Sequence, residues 1–456
     1  MSAQNDPAQA EAIRALDAPA LRDRIASGSL SVRQVAEAYL ARITDRAEPS
    51  AAWAWLDPDF IRQQAEALDR HRAAGHPLGP LHGLPIALQD VIDMARAPSE
   101  NGTERDQGRV PMADATIVER LKAGGALLMG KATTTPLGVA SPGAQSLPNP
   151  VDPSRSAGGP CGGAAAVVAE AMSIASIAMQ TEGEISFAAS ACGLAGFKPT
   201  PGSLSRNGIA RVSQSLDAPG VLARSPATAA LVAEQLYGRD EADPATTSQP
   251  FPRLSQIMAA TGYPKPVFAV VLPPTPQDGL SAQLREAFTE LTAVLGERAF
   301  AAPLPDLFAQ ASEQVERVRL AELSRNGHVY VQEPGLADLL AAGDQILARD
   351  YLAAMDWKSV LNGGLAELFR RANVILCPAA VGPADLRETD QGDDASSRAL
   401  NSLWSLCGLP SVTLPLLTSA EGLPMGVQLV ANHGEDGRLL RAADWLLNWV
   451  NAASAE

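Results

Sequence analysis

Three stretches of the sequence carry residue types that can do chemistry. The run Gly158-Gly159-Pro160-Cys161-Gly162-Gly163 places a thiol in a glycine-rich turn directly ahead of an alanine-rich segment. Glycine permits tight backbone geometry and close approach of another group, and the N–H groups that open a helix favour an anion or a developing oxyanion. The run is no Walker loop, because the Lys-Ser/Thr ending is absent. Two readings stand beside each other: close helix packing, or a pocket for a polar small molecule. An exposed Cys161 at the helix start would have a lowered thiol pKa, whereas a buried one would be inert.

The second stretch, Gln180-Thr181-Glu182-Gly183-Glu184-Ile185-Ser186, holds two carboxylates. Brought into one cleft, Glu182 and Glu184 are a general acid and base; left in a polar turn, they face solvent. With Cys161, Ser186 and Ser190 they read as one compact polar loop. The third stretch is Gln89-Asp90, which follows the short apolar run Leu84 to Leu88. A buried strand there delivers the polar pair to a cleft.

Elements must position these groups, and the pattern predicts them. Ser31 and Gln34 form a capping box ahead of apolar positions at helical spacing, giving a helix over about 31 to 45. Another runs from Asp59 through Leu68, just after Pro58. Thr116 and Glu119 suggest a second capping box, with the helix ended by Gly124-Gly125. Ala126 to Met129 reads as a buried strand, Ala164 to Met172 as a small apolar helix, and Ile174 to Met179 as a further strand. Helices follow at Pro226 to Leu236, Ala282 to Leu295 and Leu439 to Val450. Strands follow at Val267 to Leu272, Val374 to Leu376, Val412 to Leu416 and Met425 to Leu429. This alternation is that of an α/β fold with a substantial sheet.

The 456 residues, 46% hydrophobic and 19% charged, have no linker or charge block to divide them, so one large domain over 1–456 is expected. Its N-terminal helices would cover about 10–75, and the apolar positions of a helical subdomain at about 305–370 fit a lid, a homodimer face or internal packing equally well. A net charge of −15 argues against coating nucleic acid. Apolar runs stop short of the 20 or so residues that a membrane span needs. Cys161, Cys192, Cys377 and Cys407 lie far apart with no CxxC pair, and no secretory leader is evident, which points to a reducing cytoplasm. His71, His76, His82, His328 and His433 show no ligand spacing, so neither a metal nor a cofactor is expected.

The order of motifs resembles the amidase signature family. The resemblance runs through Leu81-His82-Gly83-Leu84-Pro85, Gly124 to Lys131, Asn149-Pro150, Gly158 to Ala166, Thr181 to Ile185 and Gly193 to Thr200. It resumes at Cys407-Gly408-Leu409-Pro410, Gly422 to Leu429 and Gly434-Glu435-Asp436, covering roughly 10 to 450. It implies an α/β/α fold around a large central mixed sheet, and a cleft for an amide or carboxylic acid derivative. It also implies a relay of a nucleophilic serine, a bridging serine with a cis peptide bond, and a lysine.

Here all three positions differ. Gln89 stands at the lysine of the family's Lys-Asp pair, with Asp90 retained; Cys161 stands at the bridging serine, and Glu184 at the nucleophile. The oxyanion loop has Glu182 for its glycine, Gln180 for its aspartate, and Ser186 for the arginine after the nucleophile. Lys131 and Lys198 match other family segments and are not substitute bases. A glutamine cannot take up and return a proton near neutral pH. A carboxylate at position 184 opposes oxyanion charge. The reading is a noncanonical amidase-fold protein that binds a small molecule or a protein. The alternative is an active amide or ester hydrolase with Cys161 as nucleophile and Glu184 as base or positioning group.

Overall fold

The computed structural model describes residues 7–45, 51–140, 146–248, 250–273, 279–388 and 395–453. In chain order its helices are α1 (Pro7–Ala15), α2 (Ala18–Ala26), α3 (Val32–Thr44), α4 (Pro58–Ala73), α5 (Thr116–Ala123), α6 (Gly162–Ala169), α7 (Glu184–Cys192) and α8 (Pro226–Leu236). They continue as α9 (Leu254–Ala259), α10 (Ala282–Leu295), α11 (Ala311–Gly327), α12 (Ala337–Asp344), α13 (Ala348–Phe369), α14 (Ala395–Cys407) and α15 (Asp436–Ala453). The strands are β1 (Trp53–Trp55), β2 (Pro85–Gln89), β3 (Leu127–Ala132), β4 (Ala175–Gln180), β5 (Ala195–Lys198), β6 (Ala218–Ala223), β7 (Phe268–Val270), β8 (Ala299–Ala301), β9 (Val374–Pro378), β10 (Ser411–Thr418) and β11 (Pro424–Val430).

Local chemistry explains several boundaries. Ser31 caps α3 through the Gln34 N–H, and the Gln34 side chain returns a bond to the Ser31 N–H, so the capping box forms as predicted. Asp57 caps α4 ahead of the start that the apolar pattern suggests, with Pro58 in the first helical position, where its missing N–H costs nothing. The second capping box does not form. Ala115 occupies the cap of α5 without a side-chain bond, because Thr116 already lies inside the helix and donates its hydroxyl to Asp240 at 2.6 Å.

The strands join in one mixed sheet of order β1-β3-β2-β4-β6-β5-β10-β11-β9-β7-β8, surrounded by helices. β2 lies parallel between β3 and β4, whereas β4, β6, β5, β10 and β11 run as an antiparallel succession. All residues of β2, β3, β4, β5, β6 and β9 are buried, as strands covered on both faces must be. β1 and β8 are additions to the strands expected from the sequence, and so are β5 and β6. Their short, glycine-containing segments, Ala-Gly-Phe-Lys and Ala-Pro-Gly-Val-Leu-Ala, carry little of the β-branched signal that marks a strand.

Candidate functional site

Gln89 is the last residue of β2, held between the two neighbouring strands and completely buried. Its Nε2 donates to Thr134 Oγ1 at 2.9 Å and to the Pro160 carbonyl at 3.0 Å. Its Oε1 accepts the Met179 N–H at 2.8 Å and stands 4.0 Å from the Cys161 thiol. Both amide donors and the acceptor are thus committed to stitching β2, β4 and the glycine turn together.

The glycine turn approaches α7 closely, and a Cβ on Gly158, whose φ is 98°, would lie 2.6 Å from the Ala188 Cα. Cys161 follows at the start of α6, buried, with its thiol directed to the Met179 carbonyl at 3.3 Å. Burial pushes the thiol well above its usual pKa, and the charge of Glu184 adds to that rise. The exposed, acidified thiol is therefore not what the fold provides. The helix start cannot compensate for a low-dielectric site that also contains a carboxylate.

Glu184 opens α7, and its side chain turns back on its own loop. Oε2 accepts the backbone N–H of Thr181 at 2.7 Å, of Glu182 at 2.9 Å and of Gly183 at 3.1 Å. Three successive N–H groups at a helix start form an anion nest. Here it holds a carboxylate from the same chain. Glu184 is 4% exposed; burial raises its pKa first and Glu182 second, against the lowering effect of backbone N–H groups, those of Glu182 and Thr181 among them. Gly183, at φ 128°, is pressed under α14, and a Cβ there would lie 2.3 Å from the Asn401 Cβ.

Glu182 points the other way. Its Oε2 meets Arg398 Nη1 of α14 at 2.5 Å and Arg319 Nε of α11 at 3.1 Å. Burial alone would raise its pKa, but the two guanidinium groups outweigh that and leave the carboxyl below its ordinary value. The two glutamates are both buried, against the solvent-facing reading, and they have different partners: Glu182 is ion-paired with two arginines, and Glu184 is bonded to backbone N–H groups. Thr181 completes the clamp by donating to Asp217 Oδ1 at 2.8 Å.

The other candidate positions, and the two lysines set aside as bases, each have defined partners. Asp90 accepts Lys131 Nζ at 2.7 Å, Lys131 is 0% exposed, and it also donates to Ser99 at 2.7 Å. Lys198 donates to the Leu409 carbonyl at 2.6 Å, and burial lowers its pKa to about 7. Gln180 ends β4 and accepts the Ser186 N–H at 3.4 Å. Ser186 and Ser190 lie on α7, not in a loop with Glu182: Ser186 accepts from Gln428 at 2.8 Å and Ser190 from the Gly426 N–H at 2.7 Å. Gly159 follows Gly158 in the turn with φ 64°.

Comparison with known proteins decides the family. The Amidase family model matches residues 34–440. The chain belongs to the amidase family. It is 30% identical to a glutamyl-tRNA(Gln) amidotransferase subunit of Bdellovibrio bacteriovorus, over 93% of this chain and 94% of that protein. AmiD of Mycobacterium tuberculosis, a putative amidase by name, is 29% identical, over 95% and 94% of the two chains. Among solved structures, the peptide amidase of Stenotrophomonas maltophilia superposes with a TM-score of 0.81 at 26% identity, covering 96% of this chain and 97% of that one. A structure from a vestigial protein complex bearing on the origins of an s-triazine catabolic enzyme gives 0.86 at 27% identity, covering 95% and 98%.

Against the amidase-family pattern, Gln89, Cys161 and Glu184 are indeed spatial neighbours, linked through Met179 and the 181–183 loop. No cis peptide bond occurs among the described residues. The residues holding this loop that sequence reasoning missed are Arg319, Arg398, Asn401 and Asp217. Each arrives from a distant segment without a motif of its own, and Arg398 is separated from Glu182 by 216 positions. The histidines show no ligand spacing in sequence, yet His71 packs against His76 and His82 with ring centroids 4.9 and 5.9 Å apart. No group of three His, Cys, Asp or Glu among the described residues is arranged to hold a metal ion, and no described helix is long and apolar enough to cross a membrane.

Proposed function

We propose that this protein is an amidase-family member in which ordinary Ser-Ser-Lys amide hydrolysis is silent. Its inherited cleft binds a small molecule, an amide or a carboxylic acid derivative, without cutting it. The observation that carries this reading is the Glu184 carboxylate bonded to the Thr181, Glu182 and Gly183 N–H groups. Acyl transfer needs such donors unoccupied when negative charge develops on the reacting oxygen. Here the protein has filled them with its own anion. Gln89 supports the same reading, because an amide committed as both donor and acceptor moves no proton.

The names of the relatives favour a second reading, an active amide or ester hydrolase. Full-length similarity to amidases supports it, and Cys161 is its nucleophile with Glu184 as base. That mechanism requires Glu184 to leave the nest and Cys161 to lose a proton that burial holds tightly. One experiment separates the readings: turnover of a panel of simple amides and esters by wild type, Cys161→Ala and Glu184→Gln, with serine-directed fluorophosphonate labelling. No turnover and no label are expected. Turnover that thiol alkylation and Cys161→Ala both abolish establishes the second reading instead. Four unpaired thiols support a cytoplasmic location. The solved complex of a similar protein supports assembly, here with a second copy, which light scattering would read as twice the monomer mass.

A further inference from the structure

Away from the Gln89, Cys161 and Glu184 cluster, a cleft of about 420 Å³ lies between α15, α9 and the segment 263–266. Tyr263, Asn373, Arg438, Arg441 and Trp445 line it, and none of them belongs to the site described above. The Arg441 guanidinium carbon lies 3.1 Å from the centroid of the Tyr263 ring. Stacked in this way, a guanidinium keeps its N–H donors in its own plane, free to engage an oxyanion from the side. No ion pair of Arg441 occurs among the described residues, whereas Arg438 is paired with Glu435 at 2.8 Å. The other acids of α15 are engaged elsewhere: Asp436 accepts from Thr200 and Tyr237, and Asp444 accepts from Asn448.

Trp445 supplies the flat wall. Its ring is braced by Phe268 with centroids 6.0 Å apart and by Trp449, nearly parallel, at 5.9 Å. Arg298 stands 5.8 Å from the same ring. Arg438 and Arg441 thus line the same cleft as Trp445, and Arg298 stands against its ring, on a chain whose formal charge is −15. Cationic groups clustered beside an aromatic wall favour an anion locally, whatever the sign of the net charge. Pockets of a few hundred Å³ with aromatic walls and a few convergent polar groups are the usual form of small-molecule sites.

We infer that this cleft is a second binding site for a planar organic anion, an oxyanion carried on a flat ring. The ring lies against Trp445, and the oxyanion takes the in-plane N–H groups of Arg441, with Arg438 beside it. The inference is independent of whether the Glu184 centre hydrolyses anything.

Isothermal titration of the full chain tests it with naphthalene-1-carboxylate as the probe. Saturable binding at one site is expected, weakened about tenfold or more by Arg441→Ala, since a hydrogen bond to a charged partner is worth at least that factor. Arg441→Gln, which keeps a polar, planar donor on a shorter and uncharged side chain, guards against a variant that does not fold, and should weaken binding as well. Raising the salt should weaken binding, and naphthalene-1-methanol should not bind. Inorganic phosphate alone should bind far more weakly, because it lacks the ring. Absence of binding at millimolar probe, equal binding of the neutral alcohol, or an affinity unmoved by both Arg441 variants would each overturn the inference. The last result would place the probe somewhere other than this cleft.

Discussion

Glu184 and Asp217 are buried acids flanking one turn, and each is surrounded by donors from the backbone. Asp217 accepts Thr181 Oγ1 on Oδ1, and the N–H groups of Val212 at 3.0 Å and Ser213 at 2.9 Å on Oδ2. Burial nevertheless raises its pKa from 3.8 to about 7. The native chain therefore holds this proton over a pH range in which the unfolded chain has lost it. The associated stability is complete below pH 3.8 and falls away as the pH rises to about 7. Asp217→Asn should remove that slope. Urea unfolding between pH 4 and 8 should show the difference between the two proteins changing by roughly 3–4 kcal/mol at most. At the same scale, all four cysteines are buried. A thiol titration at pH 8 should find none of them reactive in the native protein and all four after denaturation. The substituted positions themselves are legible in the sequence, since family motifs flank each of them. What Glu184 does is not, because a carboxylate folding back onto its own N–H groups depends on the left-handed turn at Gly183.

The loop between β4 and α7 gains its rigidity from helices that arrive later in the chain. Glu182 grips α11 and α14 together, and Arg319 is 3% exposed. Removing Arg319 leaves the buried Glu182 with Arg398 as its remaining counter-charge. Arg319→Ala should therefore cost about 1–3 kcal/mol in chemical denaturation, less than a charge left wholly unpaired, and the cost should shrink when Glu182→Gln is added. Gly183 is the second contact with α14. Gly183→Ala should destabilise by about 1–3 kcal/mol through overpacking against Asn401. Asn401→Gly should recover part of that loss by removing the opposing Cβ, and hydrogen exchange in α14 should report the recovery. Elements whose signal is local follow the sequence pattern: α8 and α10 match their predicted limits, and the α3 cap is as its sequence suggests. The α5 cap departs from it because Thr116 has a better partner in Asp240, on a segment that no local pattern connects to it.

Across the whole molecule, the sheet order could not have been obtained from strand patterns alone. Alternating elements establish an α/β architecture, but β4 to β11 pair mostly antiparallel, so neighbours in the sheet are not given by neighbours in sequence. The decisive junction is β5 against β10, where Gly196 meets Thr413, Phe197 meets Val412 and Lys198 meets Ser411. During synthesis β5 emerges with β1 to β6, long before its partner exists. At about 5–20 residues per second, the ribosome takes roughly ten to forty seconds to supply β10. For that interval the nascent chain carries a nearly complete half-sheet with a bare hydrogen-bonding rim. Such a rim is a natural target for a chaperone, and a ribosome stalled before residue 411 should hold one far longer than a ribosome stalled after residue 430.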